Sequence, residues 1–324
     1  MMRVALVGFG AVGCGVAEAV REGVPFDCTV VGIADSSSAA RDPDGLDLEV
    51  ALERKAETGR VGDESDGPAA LVAEAEYDVL IEASPTTLGD AEPAYGHMTT
   101  ALERGADVVT SNKGPLAMRY DDLMATAAQH GGRVRMEGAV GGAMPVVNTV
   151  TESLAGNEVT AARGILNGTC NFILTRMLEE GLPYDHVLGE AQDMGIAEAD
   201  PTFDVEGIDT ALKCVILSNV LFEETRTLDD AEIEGITEVT PDALRLARDS
   251  GHVVKLVGEV DADGLTVAPR LVPTGSALDV GGTLNVVAFD TALAGEVTVT
   301  GRGAGSTETA SAIVSDLAAL ARER

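Results

Sequence analysis

Short apolar runs alternate with helical stretches over the first part of the chain. The runs are of strand length and lie at 3–7, 29–34, 78–83, 107–110 and 133–136, and the helical stretches lie at 11–21, 46–55, 91–104 and 116–130. Alternation of strand and helix at this spacing predicts an α/β domain built on a doubly wound parallel sheet, as in a Rossmann unit. We expect this domain to span residues 1–137, with an acidic loop at 59–67.

A different pattern follows a glycine-rich hinge at 138–145. After a helix to about residue 154, strand-like runs at 159–166, 265–272, 284–289 and 296–300 mix with helices at 170–180, 184–194, 207–221 and 241–248. The mixture predicts a second, α+β domain over 138–300, whose mixed sheet would serve substrate binding and dimerisation. A glycine turn at 301–305 and a helix at 307–322 form a last segment, 301–324, which we expect to return to the first domain.

The charge balance narrows the range of partners. The 324 residues include 54 acidic side chains and 22 lysines plus arginines, a formal net charge of −32 at pH 7. Such a chain repels phosphate backbones, which argues against nucleic acid and anionic membranes as partners. Because the Debye length falls to about 3 Å at molar salt, the surplus would be screened in the cytoplasm of a salt-accumulating halophile. An ordinary acidic cytosolic protein is the alternative.

Cysteine usage and hydropathy bear on the compartment. The four cysteines show neither CxxC spacing nor the density of a secreted scaffold, so we expect a reducing compartment without disulfides or structural zinc. No apolar run reaches the roughly 18 residues of a membrane span, and no secretion signal opens the sequence. These features favour a cytoplasmic protein.

A glycine-rich turn lies directly between the first apolar run and the first helical stretch. Its residues are Gly8, Phe9, Gly10, Ala11, Val12 and Gly13. Glycines in this context let the backbone approach a pyrophosphate held at the helix N-terminus. The turn therefore predicts a dinucleotide site rather than a purely structural turn.

Asp35 ends the second apolar run, at about the offset expected for an acidic residue that meets the cofactor ribose. A carboxylate there favours NAD, because it would repel the 2′-phosphate of NADP. Ser36 can donate a hydrogen bond to phosphate, however, and Arg41, Arg54 and Lys55 stand nearby in sequence. NAD and NADP both remain open on this evidence.

Two further segments follow predicted strands, where open α/β sheets place their ligand crevice. In the first, the hydroxyls of Ser84 and Thr86 would line the nicotinamide ribose, or else Thr86 or Thr87 caps a helix. In the second, Lys113 is one of only four lysines in the chain and is a candidate cofactor or substrate contact. The alternative for Lys113 is an ordinary exposed loop lysine.

Asp209 and Lys213 stand four residues apart on a helix that is apolar nearly all round. They share one face, and the apolar surroundings predict that the pair is partly buried. A desolvated lysine beside a carboxylate is suited to general acid catalysis. A structural ion pair is the alternative interpretation.

Taken together, these motifs resemble those of the homoserine dehydrogenases over nearly the whole chain. The resemblance rests on 8–13, Ser-Asn-Lys at 111–113, Asn-Gly-Thr-Cys-Asn at 167–171, Ala-Glu-Ala-Asp-Pro at 197–201, Gly-x-Asp-x-x-x-Lys at 207–213 and Gly-Ala-Gly at 303–305. It implies nicotinamide-dependent interconversion of L-aspartate 4-semialdehyde and L-homoserine, on the route to threonine and methionine. We also expect the enzyme to be a homodimer.

The resemblance also implies roles for particular residues. Lys213 would donate and accept the proton, Asp209 would bind substrate, and Lys113 would contact both cofactor and substrate. Glu198 would hold the substrate ammonium. The remaining expected contacts are Gly168, Thr169 and Asp204 to the substrate, with the carboxylate near Gly168 and Thr169, and Gly303 to the cofactor.

A monovalent cation, usually sodium, is implied as well. Its ligands would be Glu137, Val140, Gly142 and Met144, mostly through main-chain carbonyls. Only 111 residues follow Lys213, so we expect a short form without the C-terminal regulatory domain that many members carry. Other readings are a different two-domain NAD(P) dehydrogenase, a cysteine-dependent semialdehyde dehydrogenase that used Cys170, and an inactive nucleotide sensor.

Overall fold

The computed structural model describes residues 1–62 and 67–324, and these form two compact units. The first consists of Met1–Ala143 together with Gly305–Arg324, and the second of Met144–Ala304. Residues 63–66, part of the acidic loop predicted at 59–67, lie outside the described residues.

A six-stranded sheet forms the centre of the first unit. Its strands are β1 (Met2–Val7), β2 (Cys28–Ala34), β3 (Ala39–Arg41), β4 (Val79–Glu82), β5 (Asp107–Thr110) and β6 (Val134–Arg135), in the order β3-β2-β1-β4-β5-β6. Every residue of β4 and β5 is buried, as expected of short apolar strands covered on both faces.

The α/β fold class is confirmed, but the expectation of a purely parallel sheet was wrong at one edge. β3 runs antiparallel to β2, whereas the other neighbours are parallel. β3 follows β2 after a short turn, and a connection that short can return only antiparallel, because a parallel crossover needs a dozen or more residues.

The helices of the first unit cover this sheet. They are α1 (Ala11–Glu22), α2 (Leu48–Thr58), α3 (Gly67–Glu74), α4 (Ala94–Glu103), α5 (Lys113–Met118), α6 (Tyr120–His130), α7 (Glu137–Val140) and a C-terminal helix (Ser306–Arg322). Buried Ile313 and Leu317 of the C-terminal helix join Leu6 and Ile33 in one apolar core. The sequence predicted a single helix at 116–130, but Arg119, with φ −140°, separates α5 from α6.

The second unit has its own six-stranded mixed sheet. Its strands are β7 (Val159–Ile165), β8 (Ala231–Ile233), β9 (His252–Asp261), β10 (Leu265–Pro273), β11 (Leu284–Thr291) and β12 (Gly295–Arg302), in the order β12-β11-β7-β9-β10-β8. Neighbours are antiparallel except β10 and β8. The sequence analysis did not predict β8 or β9.

Helices pack on this second sheet and carry the chemistry-bearing residues. They are α8 (Val146–Asn148), which continues as a π-helical turn (Thr149–Ser153), α9 (Gly168–Glu180), α10 (Tyr184–Asp193), α11 (Thr202–Val205), α12 (Ile208–Leu221), a 3₁₀ turn (Leu228–Asp230) and α13 (Pro241–Asp249). α12 is buried without interruption from Asp209 to Asn219. Among the described residues, no helix combines the length and apolar character needed to cross a bilayer.

Candidate active site

The glycine turn between β1 and α1 is shaped by close backbone contacts. Gly8 has φ +95°, and a Cβ built on it would lie 2.3 Å from the carbonyl carbon of Ala83. A Cβ on Gly13 would lie 2.3 Å from the Gly8 carbonyl oxygen. Gly10 precedes the first residue of α1 and faces open space. The first N–H groups of α1, at Ala11, Val12 and Gly13, therefore adjoin a surface that a pyrophosphate can approach.

Asp35 is buried at the carboxyl end of β2, and both of its carboxylate oxygens accept hydrogen bonds from other groups of the protein. Oδ1 accepts the N–H groups of Ser37 and Ser38 at 2.9 and 2.8 Å and their hydroxyls at 3.1 and 3.0 Å. Oδ2 accepts Lys55 Nζ at 2.8 Å and the Val61 N–H at 3.0 Å. Burial opposes ionisation, but these bonds, led by that from Lys55, hold the pKa of Asp35 well below its ordinary value.

Arg41 is engaged elsewhere than at Asp35. It pairs with Gly32 across the β2–β3 ladder, and its Nη1 lies 2.7 Å from Glu74 Oε2 at the end of α3. Lys55 is the basic residue that contacts Asp35, and Ser36 is exposed on the same turn. The Arg60 guanidinium donates to the Ser37 carbonyl oxygen of this turn at 3.0 Å, so Lys55 and Arg60 are the basic groups nearest to Asp35.

The two loops predicted at the crevice contact each other within the first unit. The Asn112 amide donates to the Ser84 carbonyl oxygen at 3.2 Å, and the Lys113 N–H donates to the Thr86 hydroxyl at 3.4 Å. The Ser84 hydroxyl in turn donates to the buried carboxylate of Glu82. The structure thus brings Ser84, Thr86 and Lys113 together at the carboxyl ends of β4 and β5.

Of the four expected cation ligands, Glu137, Val140 and Gly142 lie on or directly after α7 in the first unit, and Met144 is the first residue of the second unit. Glu137 is buried at the start of α7, where its N–H donates to Asp316 Oδ2 at 2.9 Å. Val140 is buried, Gly142 has φ +56°, and the Met144 carbonyl oxygen accepts the Val146 N–H at 2.9 Å in the second unit. No cluster of three His, Cys, Asp or Glu side chains suited to a metal occurs in the described residues. One buried carboxylate with main-chain carbonyls is instead a donor set for a hard, weakly charged cation.

In the second unit, Asp209 and Lys213 form a buried ion pair one helical turn apart on α12. Lys213 Nζ lies 2.7 Å from Asp209 Oδ2 and donates a second bond of 2.7 Å to the Leu166 carbonyl oxygen. The exposed fractions are 4% for Lys213 and 7% for Asp209. In the described structure these two bonds use two of the three ammonium N–H donors and leave the third.

Asn167 joins this pair to a second carboxylate. Its amide nitrogen donates to Asp204 Oδ1 at 2.7 Å and to Asp209 Oδ2 at 3.0 Å. Its side-chain oxygen accepts the Cys170 N–H at 2.9 Å and so caps α9. The sequence analysis quoted Asn167 within a motif but did not select it; an N-cap residue directly before Gly168 and Thr169 was the available signal.

Burial and like charge act together on Asp204. Burial, and then the charge of Asp209, raise the pKa of Asp204, while bonds from Asn167 and Thr169 and the charge of Lys213 lower it. Cys170 is buried beside this carboxylate, donates its Sγ–H to the Asp204 carbonyl oxygen at 3.2 Å, and has its pKa raised well above the ordinary value by burial. A thiol held protonated in this way is a poor nucleophile.

The other predicted substrate and cofactor residues of this unit occupy different surroundings. Gly168 and Thr169 form the first turn of α9, and the Thr169 hydroxyl donates to the Ile196 carbonyl oxygen at 3.1 Å. Glu198 is exposed in the segment between α10 and α11. Gly303 follows β12 and packs so closely on Asn285 that a Cβ would lie 1.8 Å from its amide nitrogen.

A Rossmann-type glycine turn in one unit and a desolvated lysine–carboxylate pair in the other define a nicotinamide-dependent oxidoreductase. Comparison with known families specifies it further. The model of the homoserine dehydrogenase NAD-binding domain matches residues 8–137, and the homoserine dehydrogenase model matches 145–318. The chain belongs to the homoserine dehydrogenase family.

Individual homoserine dehydrogenases are similar to this chain over nearly its whole length. The homoserine dehydrogenase of Methanocaldococcus jannaschii is 46% identical, with 98% of this chain and 97% of that protein covered. The NAD⁺-dependent homoserine dehydrogenase of Pseudomonas canavaninivorans is 37% identical over 97% and 95%. A hyperthermophilic archaeal homoserine dehydrogenase solved with NADPH is 31% identical, with a TM-score of 0.86 and coverage of 100% and 98%. The protein is thus an NAD(P)-dependent homoserine dehydrogenase by family.

Proposed function

We propose that this enzyme interconverts L-aspartate 4-semialdehyde and L-homoserine with Lys213 as the general acid and base. The observation that carries the proposal is the buried Lys213 ammonium, which keeps one N–H donor beyond its bonds to Asp209 and Leu166. A bound reduced nicotinamide would supply the hydride for the aldehyde carbon, and Lys213 Nζ would give a proton to the carbonyl oxygen. The ammonium also stabilises the negative charge that develops on that oxygen.

Asp209 and Asp204 have supporting roles in this proposal. Asp209 fixes the Lys213 side chain through the 2.7 Å bond. Asp204, held by Asn167, lies beside the same site. For the zwitterionic substrate, we assign the ammonium to Glu198 and the carboxylate to the first turn of α9, at Gly168 and Thr169.

The first unit binds the cofactor, with residues 1–137 and the C-terminal helix as its framework. We place the pyrophosphate at 8–13 and the nicotinamide end near Ser84, Thr86 and Lys113. Gly303, which belongs to the second unit, is a further cofactor contact in this proposal. Because Asp35 is paired with Lys55 and hydrogen-bonded on both oxygens, its repulsion of a 2′-phosphate is partly neutralised. We therefore propose that both NAD and NADP bind, and that the enzyme slightly prefers NADP.

Further properties stay within the proposal. A monovalent cation, with sodium as first choice, would be held by Glu137, Val140, Gly142 and Met144, where it would stabilise the local backbone. Residues 138–300 would carry the substrate site and the surface of a homodimer. The expected location is the cytoplasm.

A spectrophotometric assay tests the proposed function. Purified protein in molar KCl is mixed with L-homoserine and either NAD or NADP, and reduced nicotinamide is followed. We expect reduction that requires L-homoserine and is absent with L-threonine or L-malate as matched controls. Equal rates with one of those controls would contradict the assignment of the substrate.

A further inference from the structure

Lys255 is a buried lysine that the proposed chemistry does not use. It lies on β9 with 3% of its surface exposed, and burial lowers its pKa from the ordinary value. Its Nζ donates to Asn171 Oδ1 at 2.8 Å, to the Val280 carbonyl oxygen at 2.7 Å and to the Thr175 hydroxyl at 3.3 Å. All three acceptors are uncharged. Burial of an ammonium group is unfavourable in free energy unless it is paired and hydrogen-bonded, and here its hydrogen bonds go to neutral groups.

The groups it holds belong to α9 and to the segment 280–284, which leads into β11. Asn171, in the first turn of α9, donates from its amide to the carbonyl oxygens of Val280 at 3.1 Å and Leu284 at 3.0 Å. Lys255 and Asn171 therefore bind the same segment from two sides. The segment in turn lies so close to the helix that a Cβ on Gly168 would stand 2.8 Å from the Thr283 carbonyl oxygen.

The helix end fixed in this way is the end that carries the substrate site. Asn167 caps α9 and bonds Asp204 and Asp209, and Asp209 bonds Lys213. A shift of the first turn of α9 would therefore displace both the substrate-binding residues and the partner of the catalytic lysine. Displacements of about 1 Å in such a site can cost on the order of 100-fold in rate.

We propose that Lys255 is a positioning residue for homoserine: with Asn171 it clamps the segment 280–284 against the first turn of α9 and so sets the substrate-binding geometry. This inference rests on the proposed placement of substrate at Gly168 and Thr169. It assigns no contact between Lys255 and the substrate. It predicts that loss of the clamp is felt in substrate binding and not in cofactor binding.

Arg226 offers a matched control, since it too is a buried cation that holds a loop by its carbonyl oxygens. It is 6% exposed, and its guanidinium donates to the carbonyl oxygens of Asp261 and Ala262, both at 2.6 Å. Those acceptors lie at the turn between β9 and β10. The guanidinium also donates to the Ser218 hydroxyl near the end of α12 at 3.0 Å, and none of these acceptors lies on α9 or in the segment 280–284. Arg226→Met removes a buried cation of the same kind without touching the clamp.

The experiment measures steady-state kinetics and melting temperature for wild type, Lys255→Met, Asn171→Asp and Arg226→Met. Asn171→Asp keeps the acceptor for Lys255 and removes the two bonds to the segment, so it tests the clamp even if Lys255→Met does not fold. For both clamp variants we expect the KM for homoserine to rise about tenfold or more, with the KM for the cofactor unchanged. Arg226→Met should lower the melting temperature and leave both KM values at the wild-type level.

The outcomes separate the clamp from the proposed function. A wild-type enzyme that does not oxidise homoserine overturns the proposed function. An active wild type with clamp variants whose homoserine KM is unchanged, or which behave like Arg226→Met, shows that Lys255 is only structural and overturns the inference.

Discussion

Each of the four lysines in this chain has a distinct environment at the residue scale. Lys55 pairs with Asp35 beside the cofactor turn, and Lys213 pairs with Asp209 on α12. Lys255 donates to the neutral side-chain oxygen of Asn171 and to the Val280 carbonyl oxygen, and Lys113 begins α5 at the crevice. Arginine supplies most of the positive charge in the sequence, whereas the four lysines are all buried or half-buried.

The sharpest prediction at the residue scale concerns recognition of the 2′-phosphate of NADP. The sequence offered Arg41, Arg54 and Lys55 as candidate phosphate contacts, and the structure engages Arg41 with Glu74. We expect Arg41→Ala to leave the Kd for NADP unchanged. Lys55→Met should weaken NADP about tenfold relative to NAD, because the Asp35 carboxylate would then face the 2′-phosphate without its partner.

Fluorescence titration of NADP and NAD against the two variants and wild type checks this prediction. NAD affinity is the internal control for general damage to the nucleotide site. A selective loss of NADP binding in Arg41→Ala would show that Arg41 leaves Glu74 to bind the phosphate.

At the scale of elements, the strands and helices with strong local signals are those that the sequence predicted. β4 and β5 are short apolar runs, and α12 is an apolar helix with one charged face. β3 has no apolar run of its own and exists through its pairing with β2. β9 was missed because Lys255 interrupts its apolar pattern; only the network with Asn171, made by distant parts of the chain, makes that lysine a core residue.

The same limit applies to the site. Asp209 and Lys213 were predictable, since helical spacing puts them on one face. The hub role of Asn167 was not, because its two carboxylate partners are 37 and 42 residues away in sequence. The sequence predicts which residues share a face of one helix, but it does not predict which residues of different elements come into contact.

The close packing of α12 on β9 leads to a prediction at the scale of elements. A Cβ on Gly258 would lie 2.3 Å from Cys214 Sγ. Gly258→Ala should therefore push α12 away, destabilise the protein by about 1–3 kcal/mol and lower turnover, because α12 carries Asp209 and Lys213. The double variant Gly258→Ala with Cys214→Ala makes room for the methyl group and should recover much of both losses.

Chemical denaturation and steady-state assays measure these effects. Gly189→Ala is the matched control, since a Cβ there meets nothing within 4 Å and alanine favours a helix interior. Full stability and activity in Gly258→Ala would show that the helix and the strand are less closely packed than described.

At the scale of the whole molecule, the dominant property is the net charge of −32. Mutual repulsion of surface carboxylates opposes the compact state, and salt screens it. We expect the melting temperature and the activity to rise together between dilute buffer and molar KCl. A melting temperature that stays flat or falls over that range would contradict the proposed adaptation to high salt.

Choline chloride separates screening from specific cation binding. It supplies the same ionic strength, but its cation is too large for a cluster of carbonyl oxygens around α7. An equal rise in choline chloride would assign the effect to screening, and a rise restricted to NaCl and KCl would assign it to the cation proposed at Glu137.

The central claim is that the buried Lys213 transfers the proton in a homoserine dehydrogenase, and turnover of Lys213→Ala tests it most directly. The kcat for homoserine oxidation should fall by about 10²–10⁴ or more, while NAD(P) titrates as in wild type, because the change lies in the other compact unit. Loss of turnover with intact cofactor binding is the result that the account predicts. A wild-type kcat in that variant would contradict it.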